Sequence, residues 1–178
     1  MPLPPAESRT LQAVGAVRRT PGVPPVGALV QALRAAGAAE PGLVALFDAR
    51  AIAGEAHLLS AWAHLGRARS RGEERLRDRS AELALWLAGD AQLPRALKKV
   101  GIADDTEAFV LVAEKPRSVP ALLESFGLME SAAAYPRPVD EVTLDRLGIG
   151  PAERSIVPRS AWDGLVLERV AFLDIGGA

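Results

Sequence analysis

The sequence contains no cysteine in its 178 residues. That excludes disulfides, cysteine-ligated zinc, iron–sulfur clusters and thiol catalysis. Aromatic residues are scarce, at 4%, so the core has to be assembled from Leu, Val and Ala. No run of 18 or more uncharged apolar residues occurs, and no membrane-spanning helix is expected. Met1 to Pro5 lack the basic start and apolar centre of a secretory signal. A cytoplasmic protein is the expectation from these absences. A large charge imbalance is missing as well: the formal net charge is -1, so any nucleic-acid binding has to use a local basic patch.

What is present fits an ordinary globular chain, 49% hydrophobic and 24% charged. The length suits one domain, which buries roughly 70% of its unfolded surface and needs no covalent staple. Pro-rich residues 1–9 read as a flexible N-terminal arm, and residues 10–178 as a single domain.

Along that domain, helical and extended patterns alternate. Thr10 to Val17 carries Leu11, Val14 and Val17 as a first strand, closed by Thr20-Pro21-Gly22. Val26 to Ala36 is spaced as a helix with Gly37 as its stop. Leu43 to Phe47 is a short continuous apolar run, a buried strand ending at Asp48. Glu55 to Leu65 is a helix with Leu58, Trp62 and Leu65 on one face. Arg67 to Arg79 is polar and arginine-rich, a solvated loop. Asp78 is placed to cap a helix from Arg79 to Leu87, apolar almost all round. Leu93 to Val100 is the best-specified helix: Pro94 sits in its first turn, Lys98 and Lys99 in its last, and Gly101 follows. Ala108 to Ala113 is a strand, and Ser118 caps a short helix through Phe126. Met129 to Asp140 is irregular or an edge strand, and Thr143 to Leu147 is a short helix. For Trp162 to Leu173 a helix is favoured over a strand because the apolar period holds over three turns, with Ser160 and Asp163 as a capping-box-like pair. The sum is an α/β fold: a single layered domain with a mixed β-sheet and helices packed on its faces.

The reactive side chains do not converge on a catalytic set. His57 and His64 lie seven residues apart on one helix, about 10 Å along its axis, too far to share a zinc ion without other ligands. They read as partly buried or boundary histidines, with His57 placed to close the turn before its helix. No Gly-x-Ser-x-Gly elbow, Walker loop or Gly-x-Gly-x-x-Gly turn is present. The pairs Asp104-Asp105 and Glu73-Glu74 read as solvated loop acids. No cofactor, metal or catalytic residue is expected.

Four segments in order resemble the PRPK-binding protein (TPRKB) family, a subunit of the KEOPS/EKC complex. They are "FDARAIAGEAHLLSAW" from Phe47, "AELALWLAG" carrying Glu82, "DAQLPRALKKVGI" and the strand "AFVLVAE" ending at Glu114. The C-terminal "LVLERVAFL" is similar to the family's closing helix. One departure is Ala91 before Gln92, where the family often has a basic residue. The resemblance implies a non-enzymatic α/β adaptor that binds the small kinase-like ATPase of the complex and the single-stranded 3′ CCA end of tRNA, in support of threonylcarbamoyladenosine formation. On that reading the candidate RNA contacts are Gln92, Arg95, Lys98 and Lys99 on one helix, joined by Arg75, Arg77 and Arg79 if the arginine-rich loop folds beside it. Leu83 and Leu87 are the candidate partner contacts. The alternatives are a helix-turn-helix-like DNA-binding module around Gly89-Asp90 and a small-molecule enzyme with an apolar pocket.

Overall fold

In the computed structural model, which describes residues 11–175, the first apolar segment forms strand β1 (Leu11–Arg18). The arm expected over residues 1–9, and Thr10, lie outside the described residues. Helix α1 (Val26–Ala39) runs straight through Gly37, the expected stop. It ends at Glu40, whose backbone is extended, because Pro41 crowds the helical conformation of the residue before it. Strand β2 (Val44–Asp48) is buried throughout, as its unbroken apolar run requires. Next come α2 (Gly54–Arg71), α3 (Arg79–Ala88) and α4 (Leu93–Val100). Strand β3 (Ala108–Glu114), helix α5 (Val119–Ser125) and the short strand β4 (Leu128–Glu130) follow. The described chain closes with α6 (Glu141–Leu147), α7 (Pro151–Arg154) and α8 (Trp162–Ile175).

Helix starts follow local chemistry. Asp78 Oδ1 accepts from the backbone N–H groups of Ser80 and Ala81 at the start of α3, and Ser118 Oγ accepts from Ala121 N–H at the start of α5. The C-terminal apolar segment is a helix. Its entry is a 3-10 turn at Arg159–Ala161 and not a Ser160–Asp163 box; Asp163 Oδ1 accepts from Gly164 N–H.

The α/β class expected from the sequence is the class observed. Strand order is β2-β3-β1-β4, and each pairing is antiparallel. The mixed strand directions expected from helical crossovers are therefore absent from the pairings. The crossovers themselves are real. Helix α1 joins β1 to β2, which run parallel with β3 between them, and α5 joins β3 to β4 around β1. Two split β-α-β units of this kind make the ferredoxin-like βαββαβ arrangement, with α2 to α4 inserted in the chain between β2 and β3.

The chain divides into two compact units. One comprises the chain through Ala49 with Ile102–Pro136; the other comprises Arg50–Gly101 with the chain from Arg137 on. In the first, Leu29 and Ala36 of α1 and Leu122 and Leu123 of α5 pack with Val44, Leu46, Phe109, Leu111 and Ala113 of the sheet. Each large side chain enclosed in this way contributes roughly 1.5–3 kcal/mol. One end of the sheet is polar, with buried groups linked through Thr106. Buried Arg18 donates through Nε to Thr106 O at 2.8 Å, and Thr106 Oγ1 donates to buried Asp48 Oδ2 at 3.1 Å. The second unit is helical, with α2 packed on α3 and α8, α3 on α4, and α4 on α6. No helix among the described residues is long and apolar enough to cross a membrane.

Candidate functional site

Helix α2 is longer than its sequence suggests, and this shapes the site. Its buried stripe continues from Leu58, Ala61, Trp62 and Leu65 to Ala68, so Arg67, Arg69 and Arg71 belong to its last turns. Gly72 then ends the helix in the left-handed conformation, where its N–H reaches back to the Ala68 and Arg69 carbonyls. The arginine-rich loop is thereby shortened to the segment before Asp78.

That segment lies against α2 and the start of α3 and encloses a cleft of about 490 Å3. Arg69, Arg75, Arg77 and Arg79 line it with Glu74, Glu82, Leu65 and Leu76. The Arg75 guanidinium sits 5.1 Å from the Trp86 ring centroid and donates through Nη2 to Leu173 O at 2.9 Å. Arg79 lies 5.4 Å above the Trp62 ring. Both stacked cations are held in place by aromatic faces. Glu82 is buried and fully used: Oε2 accepts from Leu76 N–H at 2.9 Å and Oε1 from Trp86 Nε1–H at 3.2 Å. The Arg69 and Arg77 side chains are exposed, and neither makes a hydrogen bond or ion pair among the described residues.

The other predicted cations stand at the opposite end of α3. This helix has 10 residues, which places its ends about 15 Å apart. Just past its C-terminus, Asp90 is buried and grips two of them. Arg95 Nε reaches Oδ1 at 3.1 Å and Oδ2 at 3.0 Å, Arg95 Nη2 reaches Oδ1 at 2.9 Å, and Lys99 Nζ lies 3.3 Å from Oδ2. Gln92 N–H also donates to Oδ1 at 3.0 Å. Burial pushes the Asp90 carboxyl up, but Arg95, the Gln92 N–H and Lys99 outweigh it and hold Asp90 below the ordinary carboxylate range. Lys98 and the Gln92 side chain remain exposed. The condition for one basic patch, an arginine-rich loop folded beside α4, is not met: the cations form two clusters at opposite ends of α3, and Asp90 partly neutralises the second.

Leu83 and Leu87, the predicted partner contacts, are 0% and 1% exposed. They are core residues of the helical unit and offer no apolar area to a partner. Exposed apolar side chains in this unit include Leu97 and Phe172. The histidines are structural. His57 Nδ1 accepts from Ala53 N–H at 3.1 Å, closing the turn before α2, so its other nitrogen carries the proton that meets Leu87 O at 2.9 Å. Burial lowers its pKa to about 4, against the smaller opposing effect of the Leu87 carbonyl. His64 stacks on Trp86 with ring centroids 5.0 Å apart, and its Nδ1 lies 3.2 Å from Asp174 Oδ2 at an angle that makes no hydrogen bond. No group of three or more His, Asp or Glu side chains among the described residues is arranged to hold a metal ion.

The family model described as kinase binding protein CGI-121 matches residues 26–131, more than half of the chain. The chain belongs to the CGI-121 family. Its description makes this a kinase-binding protein, and the family is the one that the segments from Phe47 to Glu114 resemble. The CGI-121 match begins at α1 and stops just past β4, so it covers every residue lining the arginine cleft and the α4 cluster in full. Strand β1 and helices α6 to α8, including the segment similar to the family's closing helix, lie outside it. No curated protein matches the chain. Sequence reasoning missed Arg69, which looked like loop, and Asp90, whose acid among basic neighbours was the available signal for a clamp.

Proposed function

We propose that this chain is a non-catalytic adaptor of a KEOPS-type complex, binding a small kinase-like ATPase and the 3′ end of tRNA in support of threonylcarbamoyladenosine formation. The observation that carries this reading is the CGI-121 match running from α1 to β4. The RNA role draws support from the arginine cleft, where cations, two of them stacked on indole rings, adjoin an apolar wall. Ala91 takes the place of a basic residue common in the family, and Arg95 is tied to Asp90. The cleft arginines are therefore the cations that compensate. With Leu83 and Leu87 enclosed, contact with the kinase falls to exposed side chains. The helix-turn-helix alternative finds no support, because the start of α4 presents Leu93, Pro94 and the Asp90-bound Arg95 where base-reading groups would have to stand.

The chain, used as bait, should bring down a small kinase-like protein together with tRNA. In a gel shift, trimming the 3′ CCA should weaken tRNA binding, and raising salt should weaken it steeply. Equal affinity for trimmed and intact tRNA would remove the 3′-end role. Charge reversal at Lys98, the free cation of α4, should have the smaller effect and reversal at Arg77 the larger; the opposite order would return the RNA site to α4.

A further inference from the structure

We propose that the cleft between α2 and the start of α3 is a receptor for a phosphate group carried on a nucleoside-sized body. The inference stands on the cleft itself and holds whether or not the chain binds tRNA.

Four guanidinium groups, from Arg69, Arg75, Arg77 and Arg79, face two carboxylates around about 490 Å3. One of those carboxylates, Glu82, is already engaged by Leu76 N–H and Trp86 Nε1–H, so it is held in place as part of the wall. The other, Glu74, is exposed. Like charges gathered around one cleft repel one another, and a bound anion relieves that repulsion. Guanidinium suits a phosphate better than an ammonium would, since its planar fork donates two parallel hydrogen bonds to two oxygens. The basic character of the cleft is wholly arginine.

Preorganisation separates this cleft from an ordinary charged surface. Arg75 is fixed at both ends of its guanidinium, by the Trp86 face and by Leu173 O, and Arg79 by the Trp62 face. These two lose little further freedom when an anion arrives. The Arg69 and Arg77 side chains, exposed and without partners among the described residues, are able to swing onto it. Buried Leu65 and half-buried Leu76 supply an apolar wall for the body that carries the phosphate. The volume lies within the usual range for small-ligand sites and admits one nucleotide, not a double helix. The α4 cluster has none of these features, because Asp90 already occupies the place an anion would take between Arg95 and Lys99.

A phosphate on such a body comes either from a free nucleotide or from a single strand of RNA, and titration calorimetry on the full chain at low salt separates the two. AMP should bind, and adenosine should bind at least about tenfold more weakly because it lacks the charge-assisted contacts. Inorganic phosphate should compete with AMP. Arg69→Glu and Arg77→Glu, both at exposed positions, should each weaken AMP by about tenfold or more with Tm unchanged, and Lys98→Glu should leave it as it was. A short single-stranded oligoadenylate that displaces AMP identifies an RNA strand as the source; failure to displace it identifies a free nucleotide. Equal affinity for AMP and adenosine, or unchanged AMP binding in both arginine variants, overturns the proposal. AMP binding that persists in a chain unable to shift tRNA would sink the RNA role of the adaptor and leave the cleft assignment standing.

Discussion

Leu83→Ala should lower the unfolding free energy by about 3 kcal/mol, and Leu83→Glu should leave no cooperatively folded helical unit. Leu83 is fully enclosed on α3, in a run where Leu85, Trp86 and Leu87 are no more than 1% exposed. Truncation to Ala leaves a void that α2, α4 and α8, packed around this helix, close only in part. Enclosing a carboxylate at the same place costs several kcal/mol or more, against a total stability of roughly 5–15 kcal/mol for a domain. Urea unfolding followed by circular dichroism measures both. The contrast is Leu97→Glu on α4: Leu97 is 47% exposed, so this change should alter stability by no more than about 0.5 kcal/mol. Loss of kinase binding in Leu83→Glu would therefore report unfolding. A Leu83→Glu chain that stayed folded and lost only the kinase would show instead that α3 opens its apolar face to the partner.

The difference between Leu83 and Leu97 marks where sequence reading is strong and where it stops. Caps, helix starts and apolar runs are local, and Asp78, Ser118, Pro94 and the run at Leu43 to Phe47 act where the sequence places them. A helix that is apolar all round announces burial on several sides, but whether the far side meets the chain's own helices or another protein is a tertiary fact. For Leu83 and Leu87 the own-chain answer is the observed one. Strand direction is non-local in the same sense: nothing in Ala108 to Glu114 says that it inserts between β1 and β2 and runs against both.

The basic residues show a subtler limit. Arg95 and Lys99 lie along α4 as helical spacing sets them, with Gln92 at its N-cap, yet spacing carries no information on what a cation already holds. Asp90 lies outside the helix in sequence and reaches over its first turns. In the same way, Ala68 is a single small apolar residue among arginines, too weak a signal to extend α2. Its burial nevertheless brings Arg69 onto the cleft wall. The family relation was legible because it rests on ordered segments, and the family-model match from α1 to β4 agrees with them. The division of the cations into a free group and a neutralised group was not legible, because it depends on where α3 points its two ends.

Acid should destabilise the chain well before its carboxylates protonate, and His57 is the reason. Its folded pKa is about 4, below the ordinary imidazole value of 6.5, because burial opposes the charge and both ring nitrogens are committed as a neutral acceptor–donor pair. Above pH 6.5 neither the folded nor the unfolded state binds the proton, and the full stability is present. As the pH falls from 6.5 towards 4 only the unfolded chain takes it up, so stability declines through that window and levels off for this group below it. The decline amounts to about 2 kcal/mol between pH 7 and pH 5 and about 3 kcal/mol over the whole window. His64, also lowered, mainly by burial and then by Arg67 against the pull of Asp174, acts in the same direction. Asp90 and Asp140 sit below the ordinary carboxylate range, so their stabilisation is lost only as the pH drops below about 4, outside the interval to be measured. Urea unfolding at pH 7 and pH 5 isolates the histidines, and His57→Gln, which keeps one acceptor and one donor without a titrating group, should flatten most of the difference. A wild-type stability that is the same at both pH values would mean that the ring at position 57 is protonated in the fold and that the Ala53 N–H to Nδ1 bond, on which the closed turn before α2 depends, does not form.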